Sequence, residues 1–308
     1  MRCPKCQFDH ELQTTECLKC GIVFARYQAA LDAAAKKTGL AGPVVQAAAL
    51  SPSSHPTVQN DALRELKYRV LALPLALIVA RLVTGTGLRL AAGMLAMVLH
   101  ESGHAITAWL SGRWAVPLLW VTMHGDDRSW WIVLALTAAI VFGGFLAWEA
   151  QRWGWVCAAG AVLILQLIFL CLPASTDAAL IVFGGDGGAM VLATILMATF
   201  YAPRESAICK SWGLRWGLLA IGALTFMHVF RTWSGPYEDI PFGEIEGVNL
   251  SDPSLLTEVY GWSVTQLVDR YLRLAMVCFV ALLALYVWGL VSAYREVRFP
   301  ARLSSSTT

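Results

Sequence analysis

Long apolar stretches separated by short polar segments dominate the chain from residue 61 onward. Several of them approach the ~20 residues that an α-helix needs to cross a hydrocarbon core of roughly 30 Å. Tryptophans lie at the ends of these stretches, where their amphipathic rings favour the membrane interface. We therefore expect a mostly α-helical, polytopic membrane bundle of about 6–7 spans. The predicted spans are residues 69–85, 90–111, 130–148, 153–173, 178–202, 212–230 and 270–294.

The composition also indicates a membrane protein, and it disfavours one class of partner. Of the 308 residues, 57% are apolar and 14% are charged, whereas a soluble domain usually carries about 25% charged residues. The formal net charge of +2 and the absence of a long basic run disfavour nucleic acid as a partner. The lipid bilayer is the expected surroundings of the protein.

One long polar segment interrupts the apolar pattern near the end of the chain. Between Thr232 and Asp269 there are seven acidic residues, three prolines and neither lysine nor arginine. We predict an extramembrane loop, which either gates substrates or is only a solvated connection. The carboxyl-terminal tail, residues 300–308, is expected to be disordered.

Three cationic groups give conflicting orientations under the positive-inside rule. Seven simple crossings cannot place all three in the cytoplasm, so one segment is expected to be re-entrant or split. The stretch from Leu172 to Met190 is the predicted exception, because its middle holds four glycines and an acid. The groups are Arg64, Lys67 and Arg69; Arg204, Lys210 and Arg215; and Arg295, Arg298 and Arg302.

The amino terminus has the ligand spacing of a small zinc ribbon. Two Cys-x-x-Cys pairs, ten residues apart, offer four thiolates for a tetrahedral structural zinc. A redox-active dithiol pair is the alternative. Residues 1–23 are therefore predicted to form the ribbon, residues 24–37 a short helix and residues 38–60 a flexible linker. The ligands are Cys3, Cys6, Cys17 and Cys20.

No apolar signal segment follows the start Met, so the ribbon is expected to remain in a reducing cytoplasm. We expect an integral protein of a bacterial inner (plasma) membrane, with a protein partner rather than nucleic acid for the ribbon.

A His-Glu-x-x-His run lies inside the second apolar stretch. On a helix, His100 and His104 are four residues apart and share one face, so both imidazoles can reach one metal. Glu101 lies beside that face, where a general base for a metal-bound water is needed. Ionisable groups at membrane depth are costly unless they are paired or liganded. The alternative is a helix-packing cluster in which Glu101 pairs with a histidine.

A third ligand is needed, and a carboxylate commonly completes such a site. Asp186 is the predicted ligand, because flanking glycines allow close backbone approach and an apolar run follows. Its alternative role is a helix cap. His228 is a candidate oxyanion stabiliser or a packed histidine.

Together these residues resemble the site-2 protease family of intramembrane zinc metalloproteases. The resemblance rests on His100-Glu101-Ser102-Gly103-His104 and on Asp186-Gly187-Gly188, and it covers roughly residues 90–202. It implies a catalytic zinc on His100, His104 and Asp186, with Glu101 as general base. Two apolar segments separate the motifs, and the Asn and prolines common upstream of the family's Asp are missing, so the resemblance is to a divergent member of the family.

The expected function is hydrolysis of peptide bonds in or near membrane segments of other proteins, by a transmembrane metalloprotease-like domain at residues 61–299. Residues Pro117 to Met123 are predicted to form a strand or hairpin that pairs with an unwound substrate. An inactive zinc-bound protein that escorts membrane clients is the alternative. A metal transporter is disfavoured, because ionisable residues are not repeated through several helices.

Overall fold

The computed structural model describes residues 56–204, 206–245 and 249–298, and, before them, residues 3, 15–17, 20–27 and 29–30. The chain divides into two compact units, Met1–Asn60 and Asp61–Thr308. The predicted tail and most of the predicted linker lie outside the described residues.

The first unit contains a tight turn around the second cysteine pair. Glu16 and Val23 form an antiparallel bridge, and the amide of Cys17 donates to the carbonyl of Ile22 at 2.8 Å. Gly21 has φ +68°, a left-handed conformation that glycine adopts without steric cost. A helical turn over residues 24–27 follows Gly21 and Val23.

The second unit is mostly helical, with two short hairpins. Its helices are α1 Pro56–Val83, α2 Arg89–Leu110, α3 Trp130–Glu149, α4 Trp153–Cys171, α5 Ala174–Ala198, α6 Ala207–Lys210, α7 Trp212–Ser234, α8 Asp252–Ser254 and α9 Val264–Arg298. Strands β1 Ala115–Pro117 and β2 Thr122–His124 form one antiparallel pair, and β3 Glu244–Ile245 and β4 Asn249–Leu250 form another. Short 3-10 turns occupy Thr199–Tyr201 and Tyr237–Asp239, and a π-turn occupies Leu255–Val259.

Among the described residues, five helices are long and apolar enough to cross a membrane: α3, α4, α5 with the turn after it, α7 and α9. Helix α3 buries no residue against the protein, and α4 buries only Gln166. Such apolar surface is suited to lipid rather than water. These features are those of an integral membrane protein.

The core is built from α1, α5, α7 and α9. Its largest buried side chains include Phe200, Phe226, Met190 and Met197. Helix α2 joins this core through glycine: a Cβ on Gly188 would lie 2.5 Å from the Cα of Gly103. Small residues permit this close approach of two membrane helices.

A buried ion network ties four helices at one end of the bundle. Glu65 on α1 binds Arg69 at 2.7 Å and Arg215 on α7 at 2.6 Å. Arg69 also donates to the carbonyls of Ala202, after α5, and Gly289 on α9. The described members of the three cationic groups therefore share one end of the bundle, which we call the cationic end and define as residues 64–69, 202–204, 206–215 and 289–298.

The prediction of a re-entrant or split segment at Leu172 to Met190 is wrong, because α5 runs without interruption from Ala174 to Ala198. The segment that departs from a simple crossing is α2. Gly93 lies against His228 near the end of α7, and Arg113 pairs with Asp177 at the start of α5. Both contacts are remote from the cationic end, so α2 does not return there.

Candidate metal centre

The two histidines of α2 face each other as their spacing predicts. Their Nε2 atoms lie 3.1 Å apart, and the ring centroids are 4.7 Å apart. One helical turn separates the residues, so both rings project from the same face. Both side chains are largely buried, with 20% and 12% exposure.

The carboxylate at these Nε2 atoms belongs to Asp252. Its Oδ2 lies 3.1 Å from Nε2 of His100 and 3.0 Å from Nε2 of His104. This oxygen has no hydrogen bond of acceptable geometry to any described residue. Ligand atoms ~2.0–2.1 Å from a tetrahedral zinc lie about 3.3 Å apart. The three atoms therefore have the spacing of ligands that converge on one ion.

Asp186 contacts the other ring nitrogen, Nδ1, of His100. Its Oδ1 is 2.9 Å from Nδ1 of His100, and its Oδ2 accepts a hydrogen bond from Nε1 of Trp233 at 2.7 Å. The arrangement therefore differs from the predicted ligand set: Asp186 contacts Nδ1 of His100, while Asp252 faces the Nε2 atoms of both histidines. Asp186 cannot serve both edges of the ring at once.

His104 is oriented in a similar way by the main chain. Its Nδ1 lies 2.8 Å from the carbonyl oxygen of Ile181. A carbonyl only accepts hydrogen bonds, so Nδ1 carries the proton and Nε2 presents its lone pair. Metal-binding histidines usually have such an outer partner on the second nitrogen. His100 and His104 both have one.

Glu101 is held beside the cluster by the first hairpin. Its side chain is buried, and its Oε2 lies 2.7 Å from the hydroxyl of Thr122, which donates to it. The same hydroxyl is 2.8 Å from the carbonyl oxygen of Glu101. Thr122 opens β2, so the predicted hairpin forms and one of its side chains touches the predicted base.

Asp252 belongs to the segment between Thr232 and Asp269, which we call the acidic segment. The part of this segment around Asp252 is buried. Ser251 and Ser254 on either side are buried, and Leu256 is fully enclosed in the core. The amide of Gly243 donates to the hydroxyl of Ser254 at 2.9 Å. This segment was predicted only as an extramembrane loop, but it places the carboxylate of Asp252 beside the two histidines.

A cavity of about 610 Å³ contains the cluster. One wall is formed by Trp120, Val121 and Thr122 of the first hairpin region, and another by Phe242 and Leu250 of the acidic segment. Most of its lining side chains are apolar, and the ionisable ones include His100, His104 and Asp252.

His228 also lines this cavity, as its predicted role requires. Its Nδ1 is buried without a hydrogen-bond partner among the described residues. His124 of β2 lines the cavity too, with an exposed side chain.

Glycine at position 185 keeps space for the imidazoles. A Cβ there would lie 2.5 Å from Nε2 of His104 and 2.6 Å from Cε1 of His100. Gly184, Gly185 and Gly188 therefore serve the contact between α5 and α2. They are not evidence that Asp186 itself is a ligand.

In the first unit, three of the predicted ribbon cysteines converge. The sulfur atoms of Cys3, Cys17 and Cys20 lie within 4.8 Å of one another, and those of Cys3 and Cys20 are 3.8 Å apart. Cys6, the predicted fourth ligand, lies outside the described residues.

No family model, curated protein or solved structure matches this chain. The functional argument therefore rests on the geometry of the cluster and its cavity.

Asp252 was missed by the sequence argument. It is one of seven acids in the segment between Thr232 and Asp269. No spacing relates it to the histidines, and only the fold brings it to them.

Proposed function

We propose that the protein is an intramembrane zinc metalloendopeptidase, which hydrolyses peptide bonds in or near the transmembrane segments of other membrane proteins. The observation that carries the proposal is the convergence of Nε2 of His100, Nε2 of His104 and Oδ2 of Asp252. Two imidazoles and a carboxylate are a common ligand set for catalytic zinc, which keeps a further position open for water or substrate.

The residues around these atoms fit a zinc ion. Asp186 and the carbonyl of Ile181 fix both histidines with Nε2 towards the ion. The Oδ2 atom of Asp252 lies at ion-pair distance from both Nε2 atoms, and a divalent cation shared by the three atoms would offset the cost of burying the carboxylate. Zinc at this position would polarise the scissile carbonyl and acidify a bound water.

Glu101 has the position of the general base. It takes the proton of the attacking water and returns it to the leaving amine. The hydroxyl of Thr122 engages Oε2, which leaves Oε1 for this transfer. His228 is the candidate donor for the developing oxyanion, because it lines the cavity.

The substrate must present extended backbone, because the carbonyls of an intact helix are engaged in hydrogen bonds. The first hairpin borders the cavity, and within the part of the chain that the structure describes each of its strands pairs with only the other. Strand addition there would hold an unwound segment close to Glu101.

The location of each unit completes the proposal. The second unit lies in a bacterial inner membrane, and the first is a cytoplasmic ribbon with a structural zinc on Cys3, Cys6, Cys17 and Cys20. The convergence of three ribbon thiols supports that second zinc. Four thiolates would hold the short unit together, and its role would be to bind a protein partner.

The test uses purified full-length protein in which the four ribbon cysteines are replaced, so that only one zinc site is counted. The probe is a tagged single-span reporter with a Leu/Ala-rich segment broken by Gly-Pro pairs at both ends. This cysteine-replaced parent should contain one zinc and cleave the reporter, while Glu101→Gln in the same background should retain zinc and lose cleavage.

Glu149→Gln is the matched control, because Glu149 ends α3 with its side chain exposed, outside the cluster. It should behave as wild type. Protein without zinc, or undiminished cleavage by Glu101→Gln, would refute the proposal. Zinc binding without cleavage by any variant would favour a silent client-binding protein instead.

A further inference from the structure

The metal cluster and the cationic end occupy opposite parts of the membrane bundle. Asp186, behind His100, and Tyr201, beside Arg69, mark the two levels on α5 and the turn after it. The helix rises ~22 Å between them at about 1.5 Å per residue. The hydrocarbon core is roughly 30 Å thick. Asp186 is therefore about 22 Å from the level of Tyr201, and α5 continues beyond it, away from the cationic end, to Ala174.

Charge at the cationic end identifies it as cytoplasmic. Short segments that border membrane helices on the cytoplasmic side carry an excess of lysine and arginine. The start of α1, the connection from α5 to α7 and the end of α9 all carry such residues, and Glu65 and Glu296 bind to cations from neighbouring elements. These three groups no longer conflict, because the fold brings them together.

The opposite end has a different character. Several of its arginines are matched by acids: Arg89 by Asp239 at 3.6 Å, and Arg113 by Asp177 at 2.8 Å. The acidic segment that supplies Asp252 contains neither lysine nor arginine. A long segment of this composition has no electrostatic preference for the cytoplasmic surface.

We infer that the cavity opens towards the non-cytoplasmic face, and that the substrates are membrane proteins cut near the non-cytoplasmic end of a transmembrane segment. The statement about substrates rests on the proposed function. The statement about sidedness does not, because it depends only on the fold and the distribution of charge.

The fold explains how α2 can carry the cluster without crossing to the cytoplasmic side. Helix α1 runs away from the cationic end, and α5 runs back to it. The part of the chain between them, which contains α2, α3 and α4, therefore starts and finishes away from the cationic end. Gly93 of α2 is already level with His228, close to the end of α7. The cavity is consequently bounded by elements that follow the non-cytoplasmic ends of α2 and α7.

Sidedness is tested by thiol labelling in spheroplasts. Glu238→Cys reports the acidic segment and Lys210→Cys the connection between α5 and α7, and both positions are exposed. In the full chain with Cys157, Cys171, Cys209 and Cys278 replaced, a membrane-impermeant maleimide should label Glu238→Cys in intact spheroplasts. Lys210→Cys should be labelled only after permeabilisation. Ribbon cysteines are separated by digestion before the labelled peptides are read.

Labelling of Lys210→Cys in intact spheroplasts, or failure of Glu238→Cys to label there, overturns the inference. A second arm compares two single-span reporters, each with one Gly-Pro pair, placed at the non-cytoplasmic or the cytoplasmic end of the segment. Cleavage should be at least 10-fold faster for the non-cytoplasmic position. The opposite preference refutes the inference and leaves the protease standing, whereas cleavage of neither reporter counts against the protease while the labelling result still decides sidedness.

Discussion

Oδ1 of Asp186 lies 2.9 Å from Nδ1 of His100, on the edge of the imidazole that faces away from Asp252. The two aspartates thus contact the two different nitrogens of the His100 imidazole. One orients the histidine and the other lies where an ion would bind, and this difference leads to opposite expectations for their substitution.

Asp252→Ala should abolish zinc binding at the histidine pair, because it removes one of three ligands. Asp186→Asn should leave zinc bound but weaken its affinity by about 10–100-fold, the usual effect of losing an outer partner of a metal-binding histidine. Chelator competition on protein without ribbon cysteines measures both. Asp239→Asn, in the same segment but outside the cluster, should match wild type. Zinc loss on Asp186→Asn together with full retention on Asp252→Ala would reverse the assignment.

Thr122→Val should lower kcat for the reporter by about 10–100-fold with little change in KM or zinc content. The valine keeps the shape of the side chain but leaves Oε2 of Glu101 without its donor. Thr122→Ser should recover most of the activity. Thr137→Val, which removes a hydroxyl from α3 far from Glu101, is the control. A parallel loss in the serine variant would point to a packing defect rather than to positioning of the base.

Gly185→Ala should reduce zinc affinity, because the added methyl group would occupy the space of both imidazoles. Gly143→Ala on α3 adds the same group where no atom lies within 4 Å, and it should have no effect. Isothermal titration with zinc compares them. Unchanged affinity in Gly185→Ala would mean that the histidines approach the ion from another direction.

Acid should destabilise the cationic end through Glu65, which precedes the apolar part of α1. Burial by itself would raise the pKa of this carboxyl, but hydrogen bonds and charge from Arg215 and Arg69 outweigh it and lower the pKa from 4.5 to about 2. Because the folded pKa is the lower one, the stabilisation is present above pH 4.5 and is lost as pH falls towards 2. The shift corresponds to about 3 kcal/mol.

Thermal unfolding in detergent between pH 5 and about pH 2 should show this loss in wild type. Glu65→Gln should be less stable at pH 5 and should have a flatter pH dependence. A wild-type profile that stays flat over this range would contradict the role assigned to Glu65.

Local patterns in the sequence were sufficient for some features. The four-residue spacing of His100 and His104 placed both rings on one helical face, and a β-rich run before His124 predicted the hairpin that forms at residues 115–124. Apolar stretches of sufficient length identified the five candidate membrane helices, but the predicted spans at residues 69–85 and 90–111 lie in helices α1 and α2, which are not among them. Each of these features depends on neighbours within a few residues.

The third ligand, a carboxylate, could not be identified from the sequence, because its position depends on contacts between residues far apart in the chain. The glycines beside Asp186 led to its prediction as a ligand. Gly184 and Gly188 are required for another reason, because α5 packs directly on α2 at Gly103. Asp252 is fixed by the burial of Leu256 in the core, over a hundred residues after the histidines. For the same reason the cationic groups conflicted until the fold showed that α2 stays away from their end.

The position of Asp252 also sets an order of events during synthesis. Helix α2 enters the membrane long before residue 252 leaves the ribosome, so the early chain holds two histidines and no closing carboxylate. The cluster is completed only when the acidic segment brings Asp252 to the histidines. A truncated chain that ends before this segment would lack the third of the ligands that we propose for the metal.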